Sequence, residues 1–178
     1  KEDCNIEFLD TTNSDGPRVY FRTMSFIFIM ACNELFNKAR VTIEHSLSKG
    51  LYCEVHTDTR LQEFDIKNIK NKMKDIIYKD YKIEKISTTK SNAINIFENH
   101  GMYEKAELLR YKEYDDVKIY KCNNYINHFY GHMLPSTGYV KTFDLKQYEN
   151  EVILLGPSEL DKTKATKYIP QPKLANVY

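Results

Sequence analysis

Residues 18–36 are the most apolar part of this sequence, and they constrain its fold more than any other segment. Apolar side chains recur there at the spacing of one helix face: Phe21, Met24, Phe28, Ala31, Cys32 and Leu35. The run FIFIMAC at residues 26–32 is too short to cross a bilayer, so it predicts a helix buried inside protein. A chain of 178 residues with 42% hydrophobic content is large enough to bury such a helix in one domain.

Charge and cysteine content narrow the function classes. Twenty-six basic residues stand against 25 acidic ones, and a net charge of +1 gives no field that would favour nucleic acid or an anionic membrane. No apolar run reaches transmembrane length and no signal peptide is visible, so the cytoplasm is the expected compartment. None of the four cysteines, Cys4, Cys32, Cys53 and Cys122, is spaced as C-x-x-C, which favours buried free thiols over a zinc site.

The remaining segments mix strands and helices without strict alternation, which predicts an α+β fold. Alternation and turn residues predict strands at residues 5–12, 39–46, 50–56, 81–88, 117–122, 138–145 and 151–155. Helical spacing predicts further helices at residues 62–80, 90–101 and 103–111. The second and third of these strands are expected to form a hairpin joined through LSKG, with Gly50 as the strand breaker.

The segment EVILLGPSELDKTK, residues 151–164, resembles the start of a nucleotide-binding phosphate loop. Gly156 and Lys162-Thr163 match the motif, but Asp161 replaces its second glycine and would place a carboxylate against the phosphate. Too few residues follow to build the helix and parallel sheet that such a loop serves. The plainer interpretation is an edge strand leaving the domain into a linker, and we expect no tight ATP binding here.

The stretch YFRTMSFIFIMACNELFNKARVTIEHSLSKGLYCEVH resembles the second N-terminal domain of threonyl-tRNA synthetases, which is also found in alanyl-type editing proteins. In that family a helix carries His-x-x-x-His and a hairpin follows it. A later segment carries Cys-x-x-x-His, and NHFYGHMLPSTGYVKTFDL occupies its place here. The resemblance covers about residues 18–156. It implies an editing-domain fold, with helices packed on a mainly antiparallel sheet.

The resemblance also implies that the editing site is degenerate. The four positions that hold a metal or position the hydrolytic water in the family carry Arg22, Phe26, Phe129 and Met133. These side chains cannot replace imidazole and thiolate ligands, so no metal, no catalytic residue and no editing hydrolysis are expected. Gly131 and Pro135 match the family at structural positions.

A closer resemblance is to the synthetase-like N-terminal region of bacterial kinases of the uridine kinase and phosphoribulokinase group. It is carried by IEHSLSKGLYCE, MLPSTGY, FDL and PQPKL. It implies that residues 1–16 end a small ubiquitin-like (TGS-type) module, that residues 17–158 are the editing-like domain, and that residues 159–178 are a linker. A kinase domain that binds ATP and Mg²⁺ would then follow in the same chain as this domain's partner, and no cofactor is expected in the present residues.

Polar residues around the degenerate cleft are candidates for binding a small anion or nucleotide. They are Arg22, His45, Ser46, Lys49, Tyr52, Tyr130, His132, Ser136, Thr137, Tyr139 and Lys141. The alternative is that the two histidines are structural and that PSTG is only a turn. His100, Glu104, Lys105 and Glu107 are interpreted as a solvated helix face with i,i+3 and i,i+4 charge pairs.

Three function classes remain. The favoured one is a non-catalytic regulatory or substrate-recognition domain of a nucleoside kinase. An ester hydrolase with a rearranged site would need a nucleophile or activated water, and no local His, Cys and Asp set supplies one. An RNA-binding module should show a basic excess, which this composition lacks.

Overall fold

The computed structural model describes residues 15–36, 39–47, 49–113 and 115–169. Within them the helices are α1 (Gly16–Leu35), α2 (Glu63–Tyr78), α3 (Lys90–Asn99) and α4 (Tyr103–Arg110). The strands are β1 (Arg40–Leu47), β2 (Gly50–His56), β3 (Ile83–Thr89), β4 (Asp116–Cys122), β5 (Tyr125–His128), β6 (Asp144–Tyr148) and β7 (Glu151–Leu155). This order confirms the α+β class. The strand expected at residues 5–12 lies outside the described residues.

Helix α1 forms the centre of the main core. It begins with Pro17 in its first turn, where the missing N–H costs no helical hydrogen bond. Every side chain from Thr23 to Cys32 is buried, so burial extends around the helix and beyond the single face expected from spacing. α1 packs against α2, whose buried residues follow one stripe: Ile66, Ile69, Met73 and Ile76. No helix in the described ranges combines the length and hydropathy that a bilayer crossing requires.

A four-stranded antiparallel sheet has the order β1-β2-β7-β6. β7 therefore lies between two strands, and the expectation of an edge strand at residues 151–155 was wrong. Its unbroken apolar sequence fits that interior place, since Ile153 and Leu154 are fully buried. Gly50 is required where β2 meets β7, because a Cβ there would lie 2.7 Å from the Ile153 side chain. The left-handed residue of the hairpin is Lys49, with φ of 63°.

A second antiparallel sheet has the order β3-β4-β5, and α3 and α4 cover one of its faces. β5 was not expected from the sequence. It is only four residues long and joins β4 through a two-residue turn, in which Asn123 adopts a positive φ of 51°. Asn tolerates that conformation better than most residues, which allows the tight turn.

The strand expected at residues 138–145 forms only from Asp144 onward. A 3₁₀ turn at Thr137–Tyr139 precedes it. The buried hydroxyl of Thr137 donates to the Ile76 carbonyl at 2.8 Å and accepts from the Tyr81 N–H at 2.9 Å. These bonds hold the segment against the end of α2, where it cannot also pair as a strand.

The segment from residue 159 folds back on the domain. Pro157 bridges to Ala165, and the Thr166 N–H donates to the Gly156 carbonyl at 2.8 Å. The Tyr168 ring meets the Tyr148 ring edge to face, with 6.0 Å between centroids. The Tyr168 side chain also packs against Ile153 and Leu155 of β7, so this segment contacts the domain as far as Tyr168.

Candidate functional site

Helix α1 faces the segment that follows β5, which is where the family resemblance places a catalytic cleft. The Phe26 ring meets the rings of Tyr125 and Phe129 edge to face, with centroid distances of 5.3 and 5.8 Å. Phe26 is completely buried, and Met133 is half-buried against the same core. Three of the four positions that the resemblance assigns to metal ligands or the hydrolytic water, Phe26, Phe129 and Met133, are therefore filled by packed apolar side chains.

Arg22 closes the same interface one turn earlier on α1. Its Nη1 donates to the His132 carbonyl at 2.6 Å, and its guanidinium lies over Gly131, which has φ of +84°. A Cβ on Gly131 would lie 2.7 Å from Arg22 Cζ. The Tyr120 hydroxyl donates to the Gly131 carbonyl, and the Leu134 N–H donates to Thr23 Oγ1 at 2.9 Å. Hydrogen bonds that involve the backbone thus hold α1 against residues 131–134, at the place where the resemblance puts a cleft.

The thiols in the described residues lie in apolar surroundings. Cys32, Cys53 and Cys122 are buried and free. Burial raises the pKa of Cys53 to about 12 and that of Cys122 to about 11. A protonated thiol is a poor nucleophile and a poor metal ligand at neutral pH. Among the residues described, no cluster of three or more His, Cys, Asp or Glu side chains is arranged to hold a metal ion.

The predicted ligand-binding residues fall in separate places. Lys49 Nζ forms an ion pair with Glu159 at 2.8 Å on the outer surface of the hairpin. The Ser136 hydroxyl donates to Asp80 at the end of α2. Arg22 belongs to the packed interface with residues 131–132, and neither of the two main surface cavities among the described residues contains Arg22, Lys49 and Ser136 together. Each of the three residues has a different local partner.

The other predicted residues also divide by location. His45 stacks on Tyr52 at 5.2 Å between centroids, and Ser46 lies exposed beside them at the end of β1. The exposed Tyr130 ring receives the Lys112 ammonium at 5.7 Å from its centroid. His132 is exposed, and its backbone carbonyl accepts the hydrogen bond from Arg22. Three residues lie in the 3₁₀ region: Thr137, which is buried, and Tyr139 and Lys141, which are exposed.

The loop that resembles a phosphate loop turns back on itself. Asp161 Oδ1 accepts from the Thr163 N–H at 3.0 Å and from its hydroxyl at 2.6 Å. The Ser158 N–H then donates to the Lys164 carbonyl at 2.8 Å. No helix follows within the described residues, so the loop has no helix N-terminus to point at a phosphate.

One polar cluster was not expected from the sequence. Lys105 Nζ donates to Asn127 Oδ1 at 2.5 Å, and Asn127 Nδ2 donates to the Tyr125 hydroxyl at 2.8 Å. Lys105 is half-buried and bonded to Asn127, so its assignment to a solvated face was wrong. Burial lowers its pKa to about 8. A signal was present, since Met102 and Leu109, which both contact the core, stand three residues before and four residues after Lys105 on the same helix face.

Other charged residues of α4 form ion pairs on an exposed helix face, as the sequence predicted. Arg110 pairs with Glu107 at i,i+3 and with Glu98 of α3, both at 2.5 Å. His100 and Glu104 are exposed, and Glu104 also contacts Arg40 at 3.8 Å. These pairs are surface interactions that contribute little to stability.

Two cavities open on the surface elsewhere. The larger, of about 580 Å³, lies between the C-terminal half of α2, residues 138–143 and residues 163–165. The smaller, of about 140 Å³, lies under the Lys49–Glu159 ion pair and against Phe21.

Comparison with known proteins identifies the region to which this fold corresponds. No family model matches the chain. The threonine–tRNA ligase of Caldanaerobacter subterraneus is 30% identical over 146 residues, which are 82% of this chain and 23% of the ligase. The threonine–tRNA ligase of Geobacter sp. (strain M21) is 30% identical over 158 residues, or 82% of this chain and 25% of the ligase. That of Thermotoga neapolitana is 32% identical over 148 residues, or 82% and 23%.

The chain thus spans about a quarter of the length of the curated relatives it matches. These matches support the resemblance to a synthetase and give no support to a uridine kinase as the parent protein. The chain is homologous to the N-terminal, editing-domain region of threonine–tRNA ligases.

Proposed function

We propose that this chain is a non-catalytic, editing-like module. The observation that carries the proposal is the packing of Phe26 against Phe129 and Tyr125 in the place of a reaction cleft. Hydrolysis of an aminoacyl ester needs an activated water or nucleophile beside a site that admits the ester. A completely buried ring at the centre of this interface leaves no such room.

The groups near the interface also argue against hydrolysis. Arg22 carries a guanidinium, which donates hydrogen bonds and has no acceptor, so it offers no general base. Burial raises the pKa of all three described thiols, Cys32, Cys53 and Cys122, so they stay protonated at neutral pH. Without a nucleophile or general base at this interface, the function left to the domain is binding or regulation within a larger protein.

We further propose that the larger protein is a kinase of the uridine kinase and phosphoribulokinase group, with ATP and Mg²⁺ bound by a domain beyond residue 178. This rests on the sequence resemblance in MLPSTGY, FDL and PQPKL. The gene sequence that follows Tyr178 tests it. A strand followed by G-x-x-x-x-G-K-[ST] is expected, and the catalytic core of a threonine–tRNA ligase there would refute it.

A second candidate is a hydrolase with a rearranged site, and Lys105 favours it. An amine whose pKa is about 8 holds a substantial neutral fraction near physiological pH and could accept a proton. Its bond to Asn127 and its burial instead suit a structural role. The two candidates differ in whether any hydrolysis depends on this amine.

The test is deacylation of threonine tRNA charged with a non-cognate amino acid, measured beside an established editing domain. The non-catalytic proposal predicts a rate equal to that of buffer alone. A faster rate that Lys105→Met abolishes would support the second candidate. A faster rate that survives this substitution would refute both assignments.

A further inference from the structure

The larger cavity is formed by three segments that meet at the C-terminal end of α2. Lys74, Ile77 and Tyr78 of α2 form one wall, residues 138–143 form the second, and Thr163 and Ala165 close the third. Its volume of about 580 Å³ falls in the range of pockets that hold small organic ligands. It shares no residue with the Phe26 interface, so a ligand bound here is independent of the proposed loss of hydrolysis.

Two cations line this cavity without a salt bridge. In the part of the chain that the structure describes, neither Lys74 nor Lys141 forms an ion pair. The neighbouring Lys79 differs, since it pairs with Asp75 at 2.9 Å. The charge of Lys141 also acts on Asp80 of the same lining, where it adds to the hydrogen bonds from Ser136 and Gly138 in lowering the pKa of that carboxyl. Two lysines in a lining with one carboxylate leave an excess of positive charge, which favours an anionic ligand.

Asp80 adds an acceptor to the same cavity. Its Oδ1 accepts from the Ser136 hydroxyl and from the Gly138 N–H at 2.8 Å. Its Oδ2 accepts no hydrogen bond from the described residues, so it is available to a ligand donor. The two lysines and Asp80 together leave the lining with one net positive charge.

The rest of the lining presents the aromatic ring of Tyr78 and few hydrogen-bond donors. Tyr78 is the last residue of α2, lies one turn after Lys74, and is 89% exposed. The hydroxyl of Thr142 donates to the Lys162 carbonyl at 3.0 Å, and that of Thr163 donates to Asp161. The two ammonium groups therefore have to supply the donors for an anion.

We propose that this cavity binds a mononucleotide. The phosphate lies between Lys74 and Lys141, a ribose hydroxyl or base amino group donates to Asp80 Oδ2, and the base stacks on Tyr78. An aromatic ring offers a stacking surface to any base, and lysine is a common point-charge partner of phosphate. Inorganic phosphate alone would leave the Asp80 acceptor and the Tyr78 ring without partners.

The test is a calorimetric or NMR titration of the full chain with AMP, UMP, the two nucleosides and inorganic phosphate. The nucleotides are expected to bind more tightly than either the nucleosides or phosphate. Lys74→Ala and Lys141→Ala should each weaken nucleotide binding about fivefold or more. Lys67→Ala is the matched control, because Lys67 lies exposed on α2 outside the cavity.

The variant Tyr78→Ser tests the proposed stacking of the base separately from the binding of the phosphate. It should weaken nucleotide binding and leave the weak binding of inorganic phosphate unchanged. The proposal is overturned if inorganic phosphate binds as tightly as the nucleotides, or if no nucleotide binds at millimolar concentration. It is also overturned if both lysine variants, shown to be folded by their melting curves, bind like Lys67→Ala.

Discussion

The rings of Phe26 and Phe129 meet edge to face, with 5.8 Å between their centroids, although about a hundred positions separate them in the sequence. Phe26 comes from the central helix and Phe129 from the segment after β5. Edge-to-face pairs of this kind contribute about 0.5–1.5 kcal/mol beyond the burial of their area. The contact joins the two elements that the family resemblance places on opposite sides of a catalytic cleft.

The first prediction concerns zinc. Arg22, Phe26, Phe129 and Met133 offer a guanidinium, two rings and a thioether at the inherited ligand positions, and none of these suits Zn²⁺. Protein purified without a chelator should contain no stoichiometric zinc by elemental analysis. Stoichiometric zinc that is lost on substitution around Phe129 would contradict the assignment.

The second prediction concerns the contact between Arg22 and Gly131. Gly131→Ala should cost the strain of a positive φ, about 1–2 kcal/mol, and should also displace the guanidinium from the His132 carbonyl. Gly101→Ala is the control, because Gly101 also has a positive φ, of +71°, but a Cβ there would meet no atom within 4 Å. Urea unfolding should show the larger loss for Gly131→Ala.

The excess loss should disappear in an Arg22→Ala background, because the methyl group then meets no guanidinium. This double-mutant cycle isolates the contact from the backbone strain. Equal losses for Gly131→Ala in both backgrounds would show that Arg22 does not close the interface.

The third prediction distinguishes a structural from a ligand-binding role for Thr137. Thr137→Val removes the partner of the Ile76 carbonyl and of the Tyr81 N–H, and each buried group left unpaired costs about 1–3 kcal/mol. Thr59→Val, at an exposed position, should change the free energy of unfolding by less than about 0.5 kcal/mol. Similar stabilities for the two variants would argue against the structural role.

The fourth prediction follows from the lowered pKa of Lys105. Burial brings this pKa from 10.5 to about 8 in the folded chain, so the unfolded chain binds more protons between those two values. The contribution of Lys105 to the free energy of unfolding therefore rises with pH across that window. Below it, the charged amine opposes folding.

Urea unfolding of wild type and Lys105→Met across the window measures this contribution, because the other titrating groups are common to both proteins. The free energy of unfolding of wild type minus that of the variant should increase with pH. Lys67→Met, at an exposed position, is the control for the general effect of replacing a lysine by methionine. A flat difference for Lys105→Met would mean that the amine is not desolvated.

Sequence patterns were sufficient to predict the longer helices and strands. The periodicity of α1 and α2 and the hairpin of β1 and β2 extend over many residues, so local errors do not hide them. β5 was missed because four residues carry almost no pattern, although the adjacent Asn123-Asn124 pair is a turn signal. The strand expected at residues 138–145 was predicted too long. Its first residues follow a turn that Thr137 holds against α2, and a contact with a helix so distant in sequence leaves no local pattern.

The candidate site was less accessible to prediction for the same physical reason. Lys49 looked available for an anion, but its partner Glu159 lies 110 positions away and is brought close only by the return of the C-terminal segment. Lys74 and Lys141 likewise line one cavity only because α2 packs against the 3₁₀ turn. Local spacing contains no information about such pairs.

The most direct test of the account is the cost of Phe26→Ala. Removing a fully buried ring from a packed interface should lower the free energy of unfolding by about 3–5 kcal/mol. Phe64→Ala is the matched control on α2, where the ring is 64% exposed, and it should change stability by less than about 0.5 kcal/mol. If Phe26→Ala costs no more than Phe64→Ala in urea unfolding, the interface is an open cleft and the central claim is wrong.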